Sequence, residues 1–358
     1  MPNYKTVAAS LESDRDLILE IWRRNHSDVY RLEEKFDWHF RHNPGGSGQC
    51  WILEADGRAV GTTSLGLRRI QLGGEVVSAG IACDLAVDEA HRFLQPALTL
   101  QKELLASMRD SVRFAYGLPN PRGGAVMKRA GYHEVFPVHR YGKALRVSPY
   151  LVRSRRLAWS APILGGIADF AYAAFLRLGE RSHRSYAAQV FADFDERFDD
   201  LWERVKPEYA CLTVRDRRFL QWRYRDCPLH QYTAIGLLSA DRSRLLGYVI
   251  YYAEDDCAIC ADIFSASNDC EIECLLSAWV CHARQSGLTS MSAACSLPDA
   301  ARRGLLRAGF TLRTVPVRSA PSPSQKQELS RSLLAHNRPS VDKGAMAGWY
   351  FTYGDQPY

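Results

Sequence analysis

Two aromatic-rich segments of this chain match each other across 184 residues. Phe36-Asp-Trp38-His-Phe40-Arg-His-Asn-Pro44 carries a tryptophan, an aromatic residue two positions on and a proline six positions on. Phe219-Leu-Gln-Trp222-Arg-Tyr224-Arg-Asp-Cys-Pro228 repeats that spacing. Each ends a helical stretch and leads into an alternating apolar segment. A second pair follows in the same order: Leu118-Pro119-Asn120 running to Gly131-Tyr132, and Leu297-Pro298-Asp299 running to Gly309-Phe310. Two helices that end on the usual glycine do not by themselves explain an ordered repetition, so the pattern predicts one fold present twice.

A chain of 358 residues exceeds what one hydrophobic core usually serves. Periodicity predicts a strand at 4–8, helices at 14–26 and 31–41, and strands near 50–54, 60–70 and 76–87. A helix near 97–110, a strand at 112–116, a helix ending at Gly131 and a strand near 133–142 follow. The pattern resumes at about Tyr186, and Trp349 to Thr352 reads as a last strand. Strands flanked by helices mean α/β or α+β layers. The expected organisation is a first domain at 1–147, an apolar helical connector at 148–185 and a second domain at 186–358.

The composition is that of a globular chain, 46% hydrophobic and 24% charged, without a polar tract long enough to stay disordered. The formal charge of +6 is spread along the sequence and is not gathered into the basic stripe of a nucleic-acid binder. No nucleic-acid partner is expected. Residues 1–16 lack the apolar core of a signal peptide, which points to the cytoplasm. There, the ten cysteines are expected as free thiols. Cys257, Cys260, Cys270 and Cys274 have the count for zinc, but the first two fall in a predicted strand without a knuckle turn, so no metal is expected.

Residues 157–178 are apolar, bordered by Arg153, Arg155 and Arg156 before and Arg177, Arg181 and Arg184 after, and interrupted by Pro162, Gly165, Gly166 and Asp169. Those interruptions argue against a bilayer-spanning helix. The stretch reads as a packed linker or as an interfacial hairpin holding the chain peripherally on the inner membrane. Residues 319–345, rich in Ser, Pro, Lys and Gln, read as a loop.

One segment has the layout of an anion site. A strand through Asp84 and Leu85 runs out at Val87, a polar turn supplies Arg92, and Pro96 sits near the first turn of the next helix. Backbone N–H groups at such a helix start suit a pyrophosphate. Arg92-Phe93-Leu94-Gln95-Pro96-Ala97 resembles the Arg/Gln-x-x-Gly-x-Gly/Ala loop of the GNAT superfamily of acyl-CoA N-acyltransferases. Arg92 and Ala97 match, whereas Gln95 replaces a glycine that lets the backbone approach phosphate closely. The family's later cue is an asparagine after the fifth strand, a tyrosine seven residues on and Gly-Phe eleven on. Asn120, Met127 and Gly131-Tyr132 stand there, so Met127 replaces the tyrosine that often serves as general acid.

The resemblance implies two tandem domains, each a mixed, mostly antiparallel sheet flanked by helices. It also implies acyl-CoA as co-substrate, bound through Leu85, Val87, Arg92, Phe93, Leu94, Gln95, Pro96, Ala97, Leu98, Asn120 and Met127, with the oxyanion held by backbone N–H near Val87. Amine acylation needs a base. Asp84, a carboxylate inside an apolar strand, is the candidate, the alternative being a buried Asp that pairs with an arginine or caps a turn. His91 reads as a loop residue, and His139 is a weaker candidate base. After the corresponding strand of the second half, Ser265 to Ile272 has neither arginine nor glycine, so that copy reads as degenerate and as shaping the acceptor side.

The expected activity is transfer of an acyl group from CoA, or from an acyl carrier protein, to a small-molecule or lipid amine by direct attack. The connector and the Phe93 to Pro96 loop suggest a long chain or a lipid-like acceptor, similar to the bacterial ceramide synthases of GNAT type. The alternatives are acetylation of an amino sugar of a surface polysaccharide and a non-catalytic binding module.

Overall fold

The computed structural model describes residues 2–146, 186–313, 331–337, 344, 346 and 348–358. The connector and its candidate interfacial stretch at 157–178 lie outside the described residues. In chain order the first elements are β1 (Tyr4–Ala9), α1 (Arg15–Asn25), α2 (Leu32–Phe36), β2 (Gln49–Ala55), β3 (Arg58–Leu72), β4 (Glu75–Val87), α3 (Leu94–Ser107), β5 (Val112–Gly117), α4 (Pro121–Ala130) and β6 (His133–Ala144). Then come β7 (Tyr186–Phe191), α5 (Glu196–Val205), β8 (Cys211–Thr213), α6 (Arg217–Leu220), β9 (Tyr232–Ser239), β10 (Leu245–Glu254) and β11 (Cys257–Ser265). The last are α7 (Asp269–Gln285), β12 (Ser290–Cys295), α8 (Asp299–Arg307), β13 (Thr311–Leu312), β14 (Arg331–Asn337) and β15 (Trp349–Tyr350).

These elements form two compact units that interleave along the sequence. Within the described residues, one comprises those of Met1–His139, Tyr209–Gln231 and Val315–Tyr358, and the other those of Arg140–Glu208 and Tyr232–Thr314. The units therefore do not coincide with the sequence halves at 1–147 and 186–358. The aromatic segment of the second half, with Trp222, belongs to the unit that holds Trp38.

In the first unit β1, β2, β3 and β4 pair antiparallel in succession, β4 and β5 pair parallel, and β14 lies antiparallel to both β5 and β6. This is a mixed, mostly antiparallel sheet with helices on its faces. The strand at 331–337 corrects the expectation of a loop over 319–345. Leu333, Leu334 and Ala335 are fully buried, and pairing on both edges satisfies the backbone there; the polar residues around them dilute so short an apolar run in the sequence.

One face of the sheet carries α1 and α2. Ile18, Leu19, Ile21 and Trp22 recur at helical spacing on α1 and pack with Phe36, Phe40, Ile52 and Ala86, as an amphipathic helix must. The other face carries α3 and α4, with Leu100, Leu104 and Met127 packed against Leu53, Leu65 and Val87. Asn120 caps α4 by accepting from Gly123 N, and Gly131, at φ +113°, ends it in the left-handed region.

Both aromatic landmarks leave the α form. After α2 the chain makes a π turn over Asp37–Arg41, and after α6 another over Gln221–Arg225. Trp38 and Trp222 stack at 4.9 Å between ring centroids. Each indole N–H donates to the other's carbonyl, at 2.8 Å from Trp38 and 2.9 Å from Trp222. Arg68 lies over the Trp222 ring and Arg223 over the Trp38 ring. The sequence repeat thus meets itself in a reciprocal pair.

In the second unit β7, β9, β10 and β11 pair antiparallel, and β11 pairs parallel with β12. The core lies between this sheet and α7, around Trp279, Leu275, Leu276 and Phe310. Among the described residues no helix is long and apolar enough to cross a membrane, and no three His, Cys, Asp or Glu side chains are grouped as metal ligands.

Candidate active site

The ladder between β3 and β4 pairs Ser64 with Cys83 and Thr62 with Ala86. Asp84 and Leu85 therefore stand against Thr63 alone, which is a β-bulge. Asp84 takes φ +49°, a left-handed conformation that costs an L-residue about 1–2 kcal/mol and that Asp and Asn tolerate better than most. The bulge turns the Asp84 side chain to the face covered by α1 and α2. Observed strain of this kind in a buried polar residue motivates a functional reading.

The Asp84 carboxylate is 3% exposed. Its Oδ1 accepts from the Tyr358 phenol and from Lys35 Nζ at 3.4 Å, and His26 Nε2 lies 3.9 Å away. Its Oδ2 is buried without a hydrogen-bond partner among the described residues, as is His26 Nε2. The Lys35 ammonium sits 3.9 Å above the Tyr358 ring and 5.4 Å from that of Trp22, so its charge is shared between a carboxylate and two aromatic faces.

Burial and the neighbouring Asp84 push the Tyr358 phenol well above its ordinary pKa, and the same two causes raise the Cys83 thiol. Burial lowers His26, with Asp84 acting in the opposite sense. His39, enclosed against the edge of the Tyr358 ring, is held well below its usual value by burial and by Arg68, Lys35 and Arg223. Both imidazoles are therefore neutral near pH 7. The site combines one carboxylate, one ammonium and a phenol that stays protonated.

Val87 ends β4 three residues beyond Asp84. The parallel ladder with β5 covers Ser78 to Ile81, so β4 runs on past it, and a short 3-10 turn (Glu89–His91) leads to α3. That helix begins at Leu94, three residues earlier than expected. Among the described residues it has no side-chain cap, and its first turn holds no acidic residue, so its leading N–H groups suit an anion. Pro96 is its third residue, where a missing N–H leaves no intrahelical bond unmade.

Phe93 and Leu94 are exposed, at 48% and 42%, Gln95 is exposed, and Ala97 and Leu98 are half-buried. Arg92 donates to the Val87 carbonyl at 2.8 Å and to Asn25 Oδ1 at 2.8 Å. It joins the strand end to α1. Asn120 is engaged as a helix cap, and Met127 is packed in the core with Val87 and Leu85 beside it. His91 bonds the Tyr4 hydroxyl at 2.7 Å, and His139 is exposed.

Three side chains at Asp84 come from segments that no sequence motif links to it. Lys35 and His26 come from the helices packed over β4, and Tyr358 comes from the far end of the numbering. A basic residue on the apolar side of α2 was the one available clue to Lys35.

The second unit differs at the equivalent place. Asp262 is fully buried on β11 beside a register shift. Its carboxylate accepts from the Tyr248 hydroxyl at 3.0 Å and from Ile263 N at 3.0 Å. The following helix, α7, is capped by Asn268 and carries Asp269 and Glu271 in its first turn, which fills and repels an anion position.

No protein-family model matches the chain, and no curated protein matches it. Solved structures do. A protein of Enterococcus faecalis V583 described as a probable N-acyltransferase superposes with TM-score 0.63 at 11% identity, over 94% of this chain and 73% of its own. A GCN5-related N-acetyltransferase of Anabaena variabilis gives 0.61 at 12% identity over 94% and 73%. The N-myristoyltransferase of Saccharomyces cerevisiae with bound myristoyl-CoA gives 0.56 at 10% identity over 94% and 80%. At such identities the likeness establishes the fold, that of the GCN5-related N-acetyltransferases.

Proposed function

We propose that this chain is an N-acyltransferase that moves an acyl group from a CoA thioester to a primary amine, with Asp84 as general base. The observation that carries the reading is the Asp84 carboxylate, fixed at a β-bulge with one buried oxygen unpartnered, three residues before the strand end that leads into an uncapped helix. The open N–H groups at Leu94 and Gln95 suit the coenzyme's diphosphate. Oδ2 takes the proton of the attacking amine, the N–C bond forms, and backbone N–H near Val87 stabilises the oxyanion. The C–S bond then breaks, and the thiolate takes its proton from water.

The finer reading is a long acyl chain and a lipid-like amine, such as a sphingoid base, in the manner of bacterial ceramide synthases. Exposed Phe93 and Leu94 beside the anion-binding end support it. An acyl carrier protein as donor, peripheral membrane contact through 157–178 and a duplicated GNAT ancestry belong to the same proposal; the reciprocal Trp38–Trp222 pair supports the last. Acetylation of an amino sugar is the competing reading. Mass spectrometry of reactions with acetyl-CoA and palmitoyl-CoA against sphingosine and glucosamine decides: N-palmitoyl product is expected, acetylated glucosamine alone contradicts the lipid reading, and no product with any pair contradicts the enzyme.

A further inference from the structure

We propose that Tyr358 and Lys35 are positioning residues for Asp84: they occupy Oδ1 from two sides and leave the buried Oδ2 as the oxygen free to take a proton. This rests on the reading of Asp84 as base. A carboxylate has about four acceptor sites on two oxygens, yet Tyr358 and Lys35 both donate to the same one. The Lys35 ammonium, 3.9 Å above the ring whose hydroxyl bonds Asp84, ties the two donors into one assembly.

The charged and titratable groups facing Asp84 come from every element packed on it. His26 at the end of α1 is neutral and lies 3.9 Å from Oδ1. Lys35 on α2 is the cation within ion-pair distance among the described residues. Cys83 on β4 and Tyr358 hold their protons, and Asp28 acts on both His26 and Tyr358 from further off. Lys35 is therefore the compensating charge within reach of the buried carboxylate, while the Tyr358 hydroxyl occupies the same oxygen from the other side.

A cation and a hydrogen-bond donor both favour a charged carboxylate, so removing either is expected to move the acid limb of activity to higher pH. An opposite charge within 4–6 Å is worth about 1–3 pH units.

The test compares kcat/KM against pH for the full-length wild type, Tyr358→Phe and Lys35→Met, with Lys35→Arg as the conservative control. Carbon-13 NMR titration of the Asp84 carboxyl, assigned with Asp84→Asn, is run alongside. The expected result is an acid limb and NMR midpoint displaced upward by about one unit or more in Lys35→Met and by a smaller amount in Tyr358→Phe. Lys35→Arg should stay near wild type, and the donor KM should change by less than about twofold throughout. Superimposable limbs and midpoints in folded variants overturn the proposal, as does a downward shift. The NMR midpoint needs no turnover, so absence of any acylation by wild type defeats the proposed reaction while the titration still decides the positioning.

Discussion

Asp84→Asn and Lys35→Met should be strongly non-additive in stability. The two side chains are 3% and 9% exposed and 3.4 Å apart. Replacing one partner of a buried pair leaves the other charge uncompensated, at a cost of about 3–5 kcal/mol. The separation exceeds that of a short charge-assisted bond, and aromatic faces share the ammonium, which places each single variant near the low end, about 3 kcal/mol. Asparagine keeps the tolerance of the left-handed conformation and an acceptor for the Tyr358 hydroxyl, so the backbone and phenol terms stay nearly constant. The double variant has no buried charge at the site and should be destabilised by about 2 kcal/mol or less, giving a coupling of about 4 kcal/mol or more. Urea denaturation of the four proteins followed by tryptophan fluorescence, with Trp22 reporting beside Lys35, measures the cycle. Additivity within about 0.5 kcal/mol would refute the buried pair.

Three further outcomes test other parts of the structure. Gln95→Glu places a carboxylate at the exposed start of α3; it should raise helix stability by about 0.3–1 kcal/mol yet weaken donor binding about tenfold by repulsion, a pairing of effects readable by melting and by donor KM. Gly66→Ala would set a methyl 2.3 Å from His39 Nε2, and overpacking against so enclosed an imidazole should cost about 1–3 kcal/mol in denaturant midpoints. His26 and His39 have folded pKa values below the 6.5 of a free imidazole, so the unfolded chain binds more protons. Stability should be complete above that value and fall as pH drops through it, by about 1.4 kcal/mol per pH unit for each histidine until its folded value is reached. His39→Asn should remove its share of that slope in urea titrations at pH 7 and 5.5.

The aromatic spacing around Trp38 and Trp222 was legible because large apolar groups at fixed offsets have few ways to be buried, and the strands through β6 followed from alternation. Asp84 stood out because a carboxylate inside an apolar strand needs a partner. Its partners were not legible: Tyr358, Lys35 and His26 converge from segments without a shared period, and only tertiary packing brings them together. The bulge itself is invisible in Cys83-Asp84-Leu85, since the extra residue is defined by the register with β3. Arg92 looked like a free cation because its acceptors, the Val87 carbonyl and Asn25, are set by the turn and by α1. The interleaving of the units was hidden for the same reason, because Trp222 finds its partner 184 residues away.

Calorimetric titration of the full chain with acetyl-CoA and palmitoyl-CoA asks whether a coenzyme thioester seats at the start of α3, within reach of Asp84. Saturable binding is expected, tighter for the long chain, weakened about tenfold by Gln95→Glu and little changed by Asp84→Asn. Absence of heat with both thioesters, or binding indifferent to Gln95→Glu, would contradict it.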